Sequence, residues 1–355
     1  MATRNLKTEI KCNQIAQVIL NPVTDIPKLM PALANSLSSP KNELNFRPFD
    51  ARRDLKQVAD LIEVCFADTL DADGKRYLQQ MRVAADNPRY LTWATSAIDL
   101  ANLPMKGFVG MHEGRLVGNL SLIPFQSQGR FNYLIANVAV HPEFRRRGIA
   151  RQLTQKAIED VQKRGAPAVW LHVRDENTAA ITLYQKLGFK ERARRTTWFS
   201  QGDYQPPQMP PEIKIRPYPP QSWDLQRAWF LHHYPSELAW HFTLKLSEMR
   251  PGWLAAMQRF FKAYTIRQWT AYRNDLVSGV LTYQSARAYA DTIWLAPPPA
   301  GDDASVLALL IAARNSLPRH RPLTLDFPTG SADQALQAAG FLAHQTLIWM
   351  QIHFS

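Results

Sequence analysis

Cysteine is scarce in this chain: only Cys12 and Cys65 occur in 355 residues. Two such distant thiols make neither a disulfide framework nor a metal-spaced pair, so a reduced, cytoplasmic protein without structural metal is expected. Long apolar runs are missing as well. None approaches the roughly 20 residues that a bilayer-crossing helix needs, so no membrane association is expected. Near the N-terminus Arg4 and Lys7 lead into Glu9 and Lys11 rather than an apolar core, and no signal peptide is read there. The phosphate loops of the commoner nucleotide-binding proteins are also absent. There is no G-x-x-x-x-G-K-[ST], and no G-x-G-x-x-G follows a strand.

Acid is the minority charge. Thirty Asp and Glu stand against 42 Lys and Arg, a net charge of +12 that calls for an explanation. The surplus is not spread evenly: from Arg145 to Arg195 there are thirteen basic and five acidic residues. A phosphate-bearing ligand accounts for part of it. Nucleic acid is a weaker account, because no aromatic-plus-basic RNA-binding signature accompanies the arginines, and a basic solvated surface covers the remainder. Hydrophobic residues at 46% and charged residues at 20% describe a globular chain, and its length suits two domains with a core each.

The densest information lies in Asn137-Val-Ala-Val-His-Pro-Glu-Phe-Arg-Arg-Arg-Gly-Ile-Ala150. An apolar strand stops at Pro142, a turn carries Arg145, Arg146, Arg147 and Gly148, and a helix pattern opens through Ile149, Ala150 and Leu153. Glycine at that junction lets several backbone N–H groups converge. The helix dipole and three guanidinium groups add positive potential, which suits a pyrophosphate. About thirty residues on comes Asn177-Thr-Ala-Ala-Ile-Thr-Leu-Tyr-Gln-Lys-Leu-Gly-Phe189. With Arg145, Gly148 and Ala150 falling on a Q/R-x-x-G-x-G/A pattern, these two segments resemble the signatures of the GCN5-related N-acetyltransferases (GNAT). The resemblance runs from about Leu44 to Phe199.

It implies an α/β (α+β) fold, a mixed and mostly antiparallel sheet flanked by helices, and acetyl-CoA as the cofactor. It also implies which residues hold that cofactor. Val138, Ala139 and Val140 would pair with it through main-chain atoms on one arm of a splayed strand pair. Arg145 to Ala150 would hold the diphosphate, and Asn177 and Tyr184 would approach it from the second segment. Tyr184 is the candidate catalytic acid, placed where many relatives carry a tyrosine that protonates the departing sulfur. The base is read as His172: in Leu171-His-Val-Arg174 it stands where ribosomal-protein N-terminal acetyltransferases carry glutamate. A satisfied strand histidine is the equal alternative. Alternation puts Trp170, His172 and Arg174 on one face of that strand.

Along the chain, residues 1–43 read as an extension, 44–200 as the cofactor-binding domain and 201–212 as a proline-rich linker. Residues 213–355 read as a weaker second copy. Phe46-Arg47-Pro48 recurs as Ile215-Arg216-Pro217, Gly114-Arg-Leu-Val-Gly118 as Asn274-Asp-Leu-Val-Ser-Gly279, and Gly188-Phe189 with Trp198 as Gly340-Phe341 with Trp349. The chemistry does not recur. Pro297, Pro298, Pro299, Asp302 and Asp303 stand where the first copy has its arginine loop, and Leu336 stands for Tyr184. Within the first copy, a strand is expected near Leu44–Phe49 and a hairpin over 107–125 turning at Glu113-Gly114. Helices are expected over 149–161 and 178–187, the latter stopped by Gly188. Arg192, Arg194 and Arg195 read as a solvated basic strand, and His232-His233 as helix core and surface. The expected activity is acetyl-CoA-dependent N-acetylation of a primary amine, small molecule or peptide N-terminus, by direct transfer. The alternatives are an acyl-CoA-binding protein without turnover and a ribosome- or RNA-associated acetyltransferase.

Overall fold

The computed structural model describes residues 44–67, 70, 72–87, 106–127, 129–202, 204–217, 223–242, 246–250, 265–285, 290–317 and 321–354. The extension expected over residues 1–43 lies outside them. The chain divides into two compact units, one reaching to Arg192 and taking in Ile348–Ser355, the other Ala193–Leu347.

The first unit opens with β1 (Asn45–Pro48), α1 (Ala51–Phe66) and α2 (Ala72–Ala85). Asp50 caps α1 by accepting from the Arg52 amide, and Leu55, Val58, Leu61 and Ile62 recur at helical spacing to form its buried face. One turn into α1, the buried Asp54 receives both arms of Arg47, at 2.6 and 2.7 Å, and the Asp50 amide at 2.8 Å. Then come β2 (Gly107–His112), β3 (Arg115–Ser127) and β4 (Arg130–Val140). The β2–β3 turn has both central residues left-handed, Glu113 at φ 50° and Gly114 at φ 79°, the geometry that matches strand twist in a two-residue hairpin. Next are α3 (Ile149–Lys163), β5 (Ala168–Arg174), α4 (Thr178–Lys186) and the start of β6 (Lys190–Ser200).

The strand order in this unit is β1-β2-β3-β4-β5, followed by the end of the chain's last strand, β12 (Phe341–His353). The pairs from β1 to β4 are antiparallel, and β4–β5 is parallel. A parallel pair needs a crossover, and α3 supplies it. Its stripe Ile149, Leu153, Ala157 and Val161 packs with Val117, Leu171 and Val173 on one face of the sheet. Burying each larger aliphatic side chain contributes about 1.5–3 kcal/mol. Gly118 lets the helix sit this close, since a Cβ there would lie 2.7 Å from Ile149 Cγ2. On the other face α1 and α2 pack over Val109, Leu116 and Ala139.

The second unit repeats the plan with β7 (Ile213–Pro217), α5 (Trp223–His233), α6 (Leu246–Met249), β8 (Ile266–Arg273), β9 (Leu276–Gln284), β10 (Asp291–Ala296), α7 (Asp303–Ser316), β11 (Leu323–Pro328) and α8 (Asp333–Ala338). Its order is β12-β6-β11-β10-β9-β8-β7, again with one parallel pair, β10–β11, bridged by a helix. The β8–β9 turn has Asn274 at φ 50° and Asp275 at φ 59°, and Gly279 lies under Leu309 of α7.

One arginine read as solvated is not. Arg195 is buried: Nε donates to Asp326 Oδ1 at 2.7 Å, Nη1 donates to the His233 carbonyl at 2.8 Å, and the guanidinium lies 4.9 Å from the Tyr234 ring centroid. Strand alternation turns it into a polar pocket of the second core. His233 is buried at the end of α5 with its ring 5.1 Å from that of Phe327. No helix among the described residues is long and apolar enough to cross a membrane.

Candidate active site

The site begins at an irregularity in β4. Between the pairs Ser121–Ala136 and Asn119–Ala139, two residues of β4 stand opposite the single Leu120. Asn137 takes the left-handed conformation, φ 53°, that this bulge demands. Pairing with β5 stops at Ile135–Leu171, although β4 runs on to Val140 and β5 to Arg174. The two strands therefore separate into a wedge whose arms are residues 136–140 and 172–174. Val138 and Val140 pack toward the α3 side, while Ala139 belongs to the core on the α1/α2 side.

Beyond Val140 a single turn, Pro142–Phe144, leads into the arginines. Arg145 is extended, Arg146 is left-handed at φ 62°, and Gly148 is left-handed at φ 77°. Gly148 is also the N-cap of α3, and no side chain caps that helix. Its first-turn amides are thus left for another acceptor, with the positive end of the dipole behind them. A Cβ at Gly148 would meet nothing within 4 Å, so the ground in front of the helix is open.

The arginines differ in their use. Arg145 turns back, its Nε donating to the Val140 carbonyl at 3.3 Å, beside the Cys65 thiol, which donates to the same oxygen at 3.2 Å. Burial pushes the Cys65 thiol up, against the pull of Arg145. Arg147 lies over the Phe144 ring at 4.9 Å. Nη2 of Arg115 is 2.7 Å from Nε2 of His141, so that imidazole accepts there. Burial and then the Arg115 charge hold His141 below its ordinary value.

Asn177 caps α4 by accepting from the Ala180 amide at 3.1 Å. One turn before Gly188 sits Tyr184, buried edge-on against Phe189 at 5.8 Å. Tyr184, Ile149, Val138 and Val140 share one apolar cluster, so the fold brings the helix start, the wedge arm and the phenol together. Burial raises the phenol's pKa and keeps it protonated at neutral pH. His172 is on the other face, as alternation requires. It is buried with its ring 4.2 Å from that of Trp349, and burial lowers its pKa to about 3. The imidazole is neutral and a weak proton acceptor.

Sequence reasoning passed over the polar groups around the bulge: Tyr77, Asn119, Ser121 and the side chain of Asn137. Two asparagines inside strand runs, where asparagine is depleted, were the available signal. Among the described residues no group of three or more His, Cys, Asp or Glu is placed to hold a metal.

A splayed parallel pair followed by an uncapped, arginine-flanked helix start defines a class, and the comparisons with known proteins identify it. Residues 68–189 match the model of the Acetyltransferase (GNAT) family. A 67-residue stretch is 42% identical to the [ribosomal protein bS18]-alanine N-acetyltransferase of Escherichia coli, covering 19% of this chain and 45% of that protein. The chain thus spans less than half the length of that curated relative. Among solved structures, a GCN5-related N-acetyltransferase from Sphaerobacter thermophilus is similar at 17% identity with a TM-score of 0.51, covering 87% of this chain and 95% of that one. A glucosamine N-acetyltransferase region of a fungal β-N-acetylglucosaminidase superposes at 12% identity and a TM-score of 0.50, covering 93% of this chain and 40% of that one. At such identities the likeness is one of fold, and the fold is GNAT.

Proposed function

We propose that the protein transfers an acetyl group from acetyl-CoA to a primary amine by direct attack, with the chemistry confined to the first unit. The observation that carries the reading is the wedge of β4 and β5 opening toward an uncapped helix start. The residues present fit the cofactor. The unpaired arm 136–140 offers main-chain groups to an amide-bearing chain, and the amides of Gly148 to Ala150 suit a diphosphate. Arg146 and Arg147 add cations at the same end. Bound acetyl-CoA supplies an activated thioester. Tyr184, protonated and in the cluster that lines the arm, donates a proton to the departing sulfur. Asn177 fixes the start of α4 and hence the phenol. The motifs contain no cysteine, which favours direct transfer over an acetylated enzyme. Similarity to the bS18 enzyme supports a peptide N-terminus as acceptor and a cytoplasmic setting.

In the second unit the prolines and Asp302 argue against cofactor binding. A second reading, acyl-CoA binding without turnover, draws on the burial of His172, which leaves that imidazole a poor base.

Calorimetry with acetyl-CoA, followed by turnover against an alanine-initiated peptide, separates the two. Acetylation by the wild type with a kcat loss of about a hundredfold in Tyr184→Phe and unchanged cofactor affinity is expected. Heat without turnover would favour the second reading, and no heat would remove both.

A further inference from the structure

A cluster of uncharged polar side chains is buried around the β4 bulge, and the transfer reading leaves it unused. Asn119 Nδ2 donates to the Asn137 carbonyl at 2.9 Å, which pins the bulge. The Asn137 amide nitrogen donates to Ser121 Oγ at 3.3 Å and to the Tyr77 hydroxyl at 3.4 Å. With both of its hydrogens so engaged, Oδ1 turns away from these two partners. That oxygen is buried and has no hydrogen-bond partner among the described residues, on a residue only 3% exposed. An unsatisfied buried carbonyl of this kind destabilises the folded chain, a penalty that a ligand's N–H removes on binding.

The position is informative. Asn137 reaches Tyr77 on the α1/α2 side of the sheet, the side of Ala139, whereas Val138 and Val140 face α3. Leu171 and Val173 also face α3, so His172 lies on Asn137's face. Both residues stand just past the last β4–β5 pair, at the root of the wedge. A thioester lying along the arm would have this face beside it.

We propose that Asn137 Oδ1 is the docking group for the acceptor amine, and that this recess admits the amine only in its neutral form. The assignment rests on the acetyl-transfer reading above. Among the described residues, the tyrosine, histidine and cysteine that face the recess are uncharged at neutral pH. Tyr77 of α2 is held protonated by burial, a hydrogen bond from Asn137 opposing only in part. His172 of β5 is neutral with a pKa of about 3. The thiol of Cys65 on α1 is pushed up by burial. Among the described residues the charges carried on or against the wedge arms are cationic, Arg145 at the Val140 carbonyl and Arg174 at the end of the second arm. An ammonium entering here would lose its hydration without gaining a counter-charge, and an amide oxygen cannot take its proton. A neutral amine meets no such penalty. The amine shares its lone pair with the thioester carbon, the C–S bond breaks, and the surplus proton on nitrogen leaves to solvent as the sulfur is protonated.

The acceptor class follows. α-Amines, with pKa values of about 7.7–8.0, present a few hundredfold more neutral form at pH 7 than lysine side chains at about 10.4. The test uses the full chain, acetyl-CoA and two probes, alaninamide and Nα-acetyl-lysinamide. The rising limb of kcat/KM is expected at the pKa of each amine, about 8 for the first and above 10 for the second. A single midpoint shared by both probes would overturn the proposal, since a protein group would then be taking the proton. Asn137→Leu is expected to raise the alaninamide KM about tenfold while the dissociation constant of CoA, measured by calorimetry, stays put. Asn137→Asp puts a carboxylate in the recess and is expected to move the rising limb to lower pH. An unchanged amine KM in Asn137→Leu, with CoA binding intact, overturns the docking role alone. Absence of heat with acetyl-CoA in the wild type removes the transfer reading beneath it.

Discussion

Two helices of this protein, α3 in the first unit and α7 in the second, do the same architectural work and begin in opposite ways. Each bridges a parallel strand pair, and each lies on a hairpin that offers a glycine, Gly118 or Gly279, for close packing. Both hairpins turn through two left-handed residues. At α3 the N-cap is Gly148 and no side chain reaches the first-turn amides. At α7 the N-cap is Asp302, whose Oδ1 accepts from the Ser305 amide at 3.0 Å while Oδ2 accepts from the Ser305 hydroxyl at 2.9 Å. Arg273 Nη2 closes the arrangement by donating to Oδ1 at 2.8 Å. Burial alone would push the Asp302 carboxyl up, but Arg273 and the Ser305 donors outweigh it and hold it below the usual range. The second helix thus carries its own anion where the first leaves room for one. What the fold needs, glycine under the helix and a tight turn, is retained in both copies. An uncapped helix start is kept in one.

The largest expected contrast between the copies is in stability, at the repeated Phe/Ile-Arg-Pro strand. Arg47 pairs with a fully buried Asp54, whereas Arg216 meets Asp275 at 3.0 Å with both side chains exposed. Asp54→Ala should cost about 3–5 kcal/mol in urea denaturation, because it strands a half-buried arginine and the Asp50 amide. Asp275→Ala should cost less than about 1 kcal/mol. Burial raises the Asp54 pKa, and the Arg47 bonds with the Asp50 amide more than offset this, so its folded value lies below its unfolded one. Its contribution is therefore full above about pH 4 and is lost as pH falls through the folded value. An acid titration of stability that is flat in wild type and Asp54→Ala alike would break this contrast.

A middle-sized effect is expected at the glycines that precede the helices. A β-branched residue at Gly148 or at Gly301, φ 77° and 79°, costs about 1–3 kcal/mol of backbone strain. Only Gly148→Val should also weaken CoA binding, by about ten- to a hundredfold, as read by calorimetry. Equal losses of affinity in both variants would erase the distinction between the copies. The smallest effect is expected at Asp302→Ala. Loss of the cap should lower stability by about 1 kcal/mol, with no second CoA site appearing in the titration.

The parts of the molecule legible in the sequence are those that local chemistry fixes. The strand–arginine–glycine–helix junction, the turn at Glu113-Gly114 and the stop at Gly188 each depend on neighbours within a few residues, and each is where the pattern puts it. The second copy was visible because its turns and packing glycine keep their spacing. The surroundings of single residues were not legible. His172 is desolvated by Trp349 and Arg195 by Tyr234 and Asp326, partners that lie far along the chain. In the run of strand residues around Asn137, only the asparagine itself hints that one of them is left-handed. Yet that single φ turns the Asn137 side chain to the face of Tyr77.

The strand β12 has a consequence for how the protein is made. Its final residues, from Ile348 on, belong to the first unit, next to β5 in the sheet, with Ile348 and Met350 in the core around α3 and Trp349 against His172. A chain ending at residue 212 would hold both sequence motifs and still lack one strand of the sheet that carries them. Completion of the first unit's sheet is therefore coupled to the synthesis of residues that follow the second copy in sequence.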